Sequence, residues 1–153
     1  MIVLHGGVAQ ASRSRVISAQ PQPIWDVLAD FGELSSWADG IDHSSVLNAH
    51  PDNVGTSRRV QVGRNALVET ITVFEPASTL AYDIEGLPRW LGTLENRWTL
   101  RPAGGATEVT VTSTVTKGSG PLARLVEGVV GRVMAKQSDA MLAGLARRVG
   151  GAT

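Results

Sequence analysis

The chain has 153 residues, with fourteen lysines and arginines balancing fourteen aspartates and glutamates, so no net field recruits nucleic acid or an anionic membrane surface. Hydrophobic residues make up 42% and charged residues 18%, the proportions of one ordinary globular domain, and the lack of cysteine excludes disulfides, thiol catalysis and zinc–thiolate sites. Residues 1–7 lack a basic segment and their apolar run is too short for a signal peptide, and no stretch approaches the ~20 apolar residues of a membrane span. Residues 1–11 therefore read as a flexible or edge-pairing leader, 12–149 as a single domain, and the location as cytoplasmic by default.

A first strand is predicted over residues 12–20, with Val16 and Ile17 in its middle and Pro21 after it. Residues 23–31 have helical spacing, with Pro23 in the first turn, where its missing N–H costs nothing. Ile24, Val27, Leu28 and Phe31 form the apolar face of that helix. Gly32 breaks it, and Leu34-Ser35-Ser36-Trp37 suggests a short second helix or turn. Six strands follow, predicted over 42–49, 56–62, 67–74, 79–85, 92–101 and 107–117, each bounded by Gly, Pro or Asn-rich breakers. A last helix is predicted over 121–149. Its apolar set Leu122, Val126, Val130, Met134, Met141, Leu145 and Val149 keeps to one face, and Ser138 fills the gap in that stripe. Gly128, Gly131 and Gly144 each cost this helix about 1 kcal/mol relative to alanine, which close packing or a helix able to shift would explain. The order of elements is that of an α+β domain.

Most strands alternate, and each apolar face carries one polar exception. Arg58 shares a face with Val60 and Val62, Glu69 with Leu67, Ile71 and Val73, and Tyr82 with Leu80 and Ile84. Asn96 lies in phase with Leu94, Trp98 and Leu100, and Ser113 with Val109, Val111 and Val115. A buried charge without a partner costs several kcal/mol, so Arg58 and Glu69 on inward faces imply either an ion pair or a wet interior. Trp25 and Trp98 read as core residues. Trp37 and Trp90 fall in connections expected to rim a cavity mouth, where ligand, lipid or subunit contact competes with simple packing.

Other chemistry finds little support. His5, His43 and His50 sit in the leader and around the second strand, where exposed histidines are commoner than catalytic ones. No HxH, HxxxH or HExxH spacing occurs, and Gly104-Gly105 precedes a strand without a phosphate-loop lysine, so neither metal nor cofactor is expected. No nucleophile elbow is present.

The order of several phrases resembles the START-like superfamily, in its branch of polyketide cyclase/dehydrase and lipid-transport proteins. The phrases are residues 23–31 followed by Leu34 and Trp37, then Gly55-Thr56-Ser57-Arg58, Val68-Glu69-Thr70-Ile71, Leu80-Ala81-Tyr82-Asp83-Ile84 and Arg97-Trp98-Thr99-Leu100, with a Gly-rich turn and the closing helix. The resemblance spans roughly 11–149. It implies a helix-grip fold, a seven-stranded antiparallel sheet wrapped around the long C-terminal helix with two short helices, enclosing a hydrophobic cavity. By likeness to the more distant plant abscisic-acid receptors, Arg58 and Glu69 fall at inward strand positions and Glu69 joins a pocket hydrogen-bond network. The same likeness makes Gly86-Leu87-Pro88-Arg89-Trp90 a latch over the mouth and Ser138 a polar pocket residue. The chain has no basic residue at the end of the first helix, so the carboxylate capture of that group is not expected here.

These readings make a hydrophobic small molecule such as a polyketide, isoprenoid or lipid the expected partner. The expected pocket residues are Trp37, Val60, Val62, Ile71, Ile84, Leu87, Trp90, Asn96, Ser113, Val130, Met134, Ser138 and Met141. Neither nucleic acid nor integral membrane contact is expected, and homodimer formation is left open. An alternative is a polyketide cyclase or dehydratase, in which Arg58 or Tyr82 polarises a carbonyl and Glu69 moves a proton. A second is a protein-interaction or co-chaperone module on the same fold.

Overall fold

The computed structural model describes residues 2–5, 8–88, 92–116 and 121–150, and only the backbone over 2–5, 8–9 and 121–130. Eight strands form one antiparallel sheet: β1 (Ile2–His5), β2 (Val8–Ile17), β3 (His43–Asn48), β4 (Ser57–Val62), β5 (Asn65–Glu75), β6 (Thr79–Glu85), β7 (Thr93–Ala103) and β8 (Ala106–Thr116). Their order in the sheet is β1-β2-β8-β7-β6-β5-β4-β3. Two helices, α1 (Pro21–Ala29) and α2 (Pro121–Gly150), and a 3-10 helix over Phe31–Ser36 complete the fold. The seven expected strands are β2 to β8, and among the described residues β1 adds an eighth at the edge beside β2. The extra one lies in the predicted leader, where Ile2 to His5 pair with Ala11 to Val8.

The first predicted strand is shifted, because the ten-residue ladder with β8 runs from Val8 opposite Thr116 to Ile17 opposite Thr107. Helix α1 correspondingly begins at Pro21 rather than Pro23, with proline in its first turn, and buries Ile24, Trp25 and Leu28. Gly104 and Gly105 close the β7–β8 hairpin as a two-residue turn with φ of 57° and 87°, a conformation that costs glycine little.

One change of phase bears on the site. A bulge between Ile71 and Val73 leaves Val73 opposite Ala81 and Phe74 opposite Leu80. Val73 therefore does not share the inner face with Glu69 and Ile71. Phe74 takes that place and meets Trp25 edge-on, with ring centroids 5.0 Å apart.

The interior is divided along α2, which lies against β2, β8 and α1. Its C-terminal half contributes Met141, Leu142 and Leu145 to a core shared with Ile24, Leu28, Phe31, Trp37 and Trp98. That half approaches the rest of the chain closely. A Cβ placed on Gly144 would stand 2.1 Å from the Trp37 carbonyl oxygen, so glycine here serves contact with the connection after the 3-10 helix. Arg147 also reaches Asp39 in that connection. Gly144→Ala is expected to lower unfolding free energy by about 1–3 kcal/mol despite alanine's better helix propensity, as read from denaturant midpoints. An unchanged or raised midpoint would show that this contact is not tight.

Candidate functional site

Two rows of residues cross the inner face of the sheet and set the chemistry of the interior. In one, Arg58 of β4 faces Glu69 of β5, which faces Ile84 of β6 and then Leu94 and Val115. In the other, Ile71 faces Tyr82, which faces Asn96 of β7 and Ser113 of β8. The polar exceptions thus meet because each is the cross-strand neighbour of the next.

Arg58 and Glu69 form a buried ion pair, with side chains 3% and 6% exposed. The Arg58 Nε and Nη2 both reach Glu69 Oε1 at 2.7 Å, and Nη1 donates to the Phe31 carbonyl oxygen at 2.8 Å. The guanidinium carbon lies 3.7 Å from the Phe31 ring centroid and 4.8 Å from that of Tyr82. Cation–π contact with these two rings adds to the charge pairing, and desolvation strengthens both.

The second row is a directed chain of hydrogen bonds. Ser113 Oγ donates to Asn96 Oδ1 at 2.6 Å, and Asn96 Nδ2 donates to the Tyr82 oxygen at 3.4 Å. Trp98 Nε1 donates to the same oxygen at 3.2 Å. Burial pushes the Tyr82 phenol above its ordinary value of about 10, and the Glu69 charge adds to that rise. Arg58 and the Trp98 and Asn96 donors oppose it without winning. Tyr82 is a neutral phenol at physiological pH.

Between these rows and the middle of α2 lies a cavity of about 510 Å³. Of the residues expected in the site, Glu69, Tyr82, Val60, Val62, Ile84, Leu87, Asn96, Ser113, Met134, Ser138 and Met141 line it. Arg58 does not. Its charge is turned away from the cavity, to Glu69 and the Phe31 carbonyl. Ile71 is also off the wall, in the core with Ile24 and Leu28. Trp37 was expected at the mouth but is 7% exposed and packs edge-on against Trp98 at 6.0 Å. Its indole N–H has no hydrogen-bond partner among the described residues. Trp90 and the Val130 side chain lie outside the described residues, as does the far half of the proposed latch. His43 and His50 are exposed.

The wall also holds residues not singled out from the sequence. Leu67, Leu94 and Val115 belong to the same inward faces as Glu69, Asn96 and Ser113, so their phase was the available signal. Gln137 was legible too, since Met134, Gln137, Ser138 and Met141 follow the three-and-four spacing of one helix face. Leu34 and Ile41 approach from irregular segments, where no periodicity marks them. Asn65, Gly86, Pro88 and Val133 line the cavity while remaining exposed, and so place its mouth. Among the described residues no group of three His, Asp or Glu is arranged to hold a metal ion. No described helix is long and apolar enough to cross a membrane.

An antiparallel sheet closed by one long helix over an apolar cavity defines the helix-grip class of ligand-binding domain. The sequence pattern of the family described as polyketide cyclase/dehydrase and lipid transport matches residues 8–150, and the chain belongs to that family. Its fold is similar to that of the Zhui aromatase/cyclase from Streptomyces sp. R1128, with a TM-score of 0.78 at 15% identity over 94% of each chain. A START superfamily protein from Mycobacterium smegmatis is similar at a TM-score of 0.74 and 16% identity, over 94% of this chain and 99% of that one. TTHA0849 from Thermus thermophilus is similar at 0.73 and 20%, with the same coverage. No curated protein matches the sequence. Identities this low speak for the fold alone.

Removing one partner of the buried pair, as in Arg58→Met or Glu69→Leu, is expected to cost about 3–5 kcal/mol, and the double replacement to recover most of it. Additive losses in denaturant unfolding would show that the pair is not coupled. Tyr82 is the single tyrosine, so absorbance at the tyrosinate band reads it alone. Its folded value is raised, so its contribution is complete below about pH 10 and is lost as pH rises through that folded value, because the unfolded chain ionises first. Ionisation is expected only well above pH 10, together with loss of structure. Half-ionisation near pH 10 in folded protein would contradict this burial.

Proposed function

We propose that the protein binds, and in its host carries, a hydrophobic small molecule of polyketide, isoprenoid or lipid type inside the cavity. The observation that carries this reading is the cavity itself. About 510 Å³ lies within the usual range for small-molecule sites, and its wall is mostly aliphatic with a few convergent polar groups. Membership of a family described by both cyclisation and lipid transport supports it.

The cyclase reading draws on the name of the Zhui aromatase/cyclase and on Tyr82 facing the cavity. It also asks Glu69 to take a proton from carbon and Arg58 to meet substrate. Both are committed to each other, and Arg58 additionally to a backbone carbonyl, so binding without transformation fits their geometry better.

Protein purified from its own host and examined by native mass spectrometry is expected to carry one hydrophobic small molecule. Met134→Trp, which fills the cavity from α2 without touching the hydrogen-bond chain, is expected to abolish that mass while melting within a few degrees of the parent. Native protein that is consistently empty would count against carriage and return weight to catalysis or a protein partner.

A further inference from the structure

Resting on the binding reading above, we propose that the ligand presents a neutral carbonyl oxygen to the inner end of the cavity, that Tyr82 donates to it, and that carboxylates and phosphates are excluded there. Charge on the wall is the first ground. Among the described lining residues Glu69 alone carries a formal charge, and it is negative. The one cation behind it, Arg58, spends its donors on Glu69 and the Phe31 carbonyl and is absent from the wall. An anion pushed inward would lose its water, meet no described cation and face a carboxylate.

The direction of the hydrogen-bond chain is the second ground. Tyr82, Asn96, Ser113 and Ser138 are the buried uncharged polar residues of the described wall, at 1%, 7%, 3% and 1% exposure. Ser113 spends its proton on Asn96, and the Tyr82 oxygen already receives Asn96 and Trp98. What the phenol still has to give is its own O–H, for which no acceptor stands among the described residues. Burial keeps that proton in place. A group receiving two hydrogen bonds is also polarised towards donating a third. The complement of a fixed, neutral donor in an apolar wall is an uncharged acceptor, and a ketone, ester or quinone oxygen is the strongest common one.

Calorimetric titration with undecyl methyl ketone, dodecanoate, dodecylammonium and dodecane tests this on chains of similar length. The ketone is expected to bind about tenfold or more tightly than the other three. Tyr82→Phe is expected to reduce the ketone to the level of dodecane while leaving dodecane unchanged. In unsubstituted protein, the infrared carbonyl band of the bound ketone is expected at lower frequency than in dry hexane, a readout independent of how well the variant folds. Dodecanoate or dodecylammonium binding as tightly as the ketone, or an unshifted carbonyl band, would overturn the inference and leave ligand binding intact. Failure of all four to bind would remove the binding reading itself, and this inference with it.

Discussion

A guanidinium sealed inside a small domain must have its charge paired and its nitrogens hydrogen-bonded, and the way Arg58 meets that demand organises this protein. Its partners come from three places. Glu69 is its cross-strand neighbour, Phe31 offers a carbonyl where α1 passes into the 3-10 helix, and the rings of Phe31 and Tyr82 both lie against it. The cation therefore pins the helical segment to the sheet and fixes Tyr82 against it. Replacing such a pair by apolar residues is often neutral for stability, so what the pair contributes is positioning more than net energy.

From that pin the interior divides in two. Towards the C-terminal half of α2, contacts are close enough that a backbone carbonyl rests where a side chain would begin at Gly144. Towards the middle of α2, Met134, Ser138 and Met141 look across the cavity to Asn96 and Ser113. A helix held by such contacts at its C-terminal end can border an open volume at its middle without collapsing into it.

Much of this was legible because strands and helices advertise their buried faces by period. Turn residues bounded the strands, and the five polar exceptions stood out against apolar alternation. Their roles did not follow from phase alone. Arg58 and Val60 share a face, yet one satisfies its charge away from the cavity and the other lines it. The bulge after Ile71 exchanged Val73 for Phe74 without a glycine or proline to announce it. Trp37 looked exposed because it follows a turn-like stretch, but burial of a loop aromatic is decided by what packs over it, here Trp98. Gln137 lies beside Ser138 on the face of α2 that meets the cavity, outside the apolar set by which that face was traced.

The volume itself is the last constraint. Empty apolar space costs about 24 cal/mol per Å³ in engineered cores, which for about 510 Å³ is roughly 12 kcal/mol. That is comparable to the whole stability of a typical domain, about 5–15 kcal/mol. A dry interior of this size would be close to unsustainable, so the cavity must admit something through the mouth between Asn65, Pro88 and Val133. Water meets that need only next to polar groups, which here are Glu69, the Tyr82 row, Gln137 and Ser138 on α2 and Asn65 at the mouth. The aliphatic remainder gains most from an apolar guest. The same wall that makes the hollow costly to leave dry is what would give a hydrophobic ligand its affinity, with the Tyr82 row left to fix its orientation.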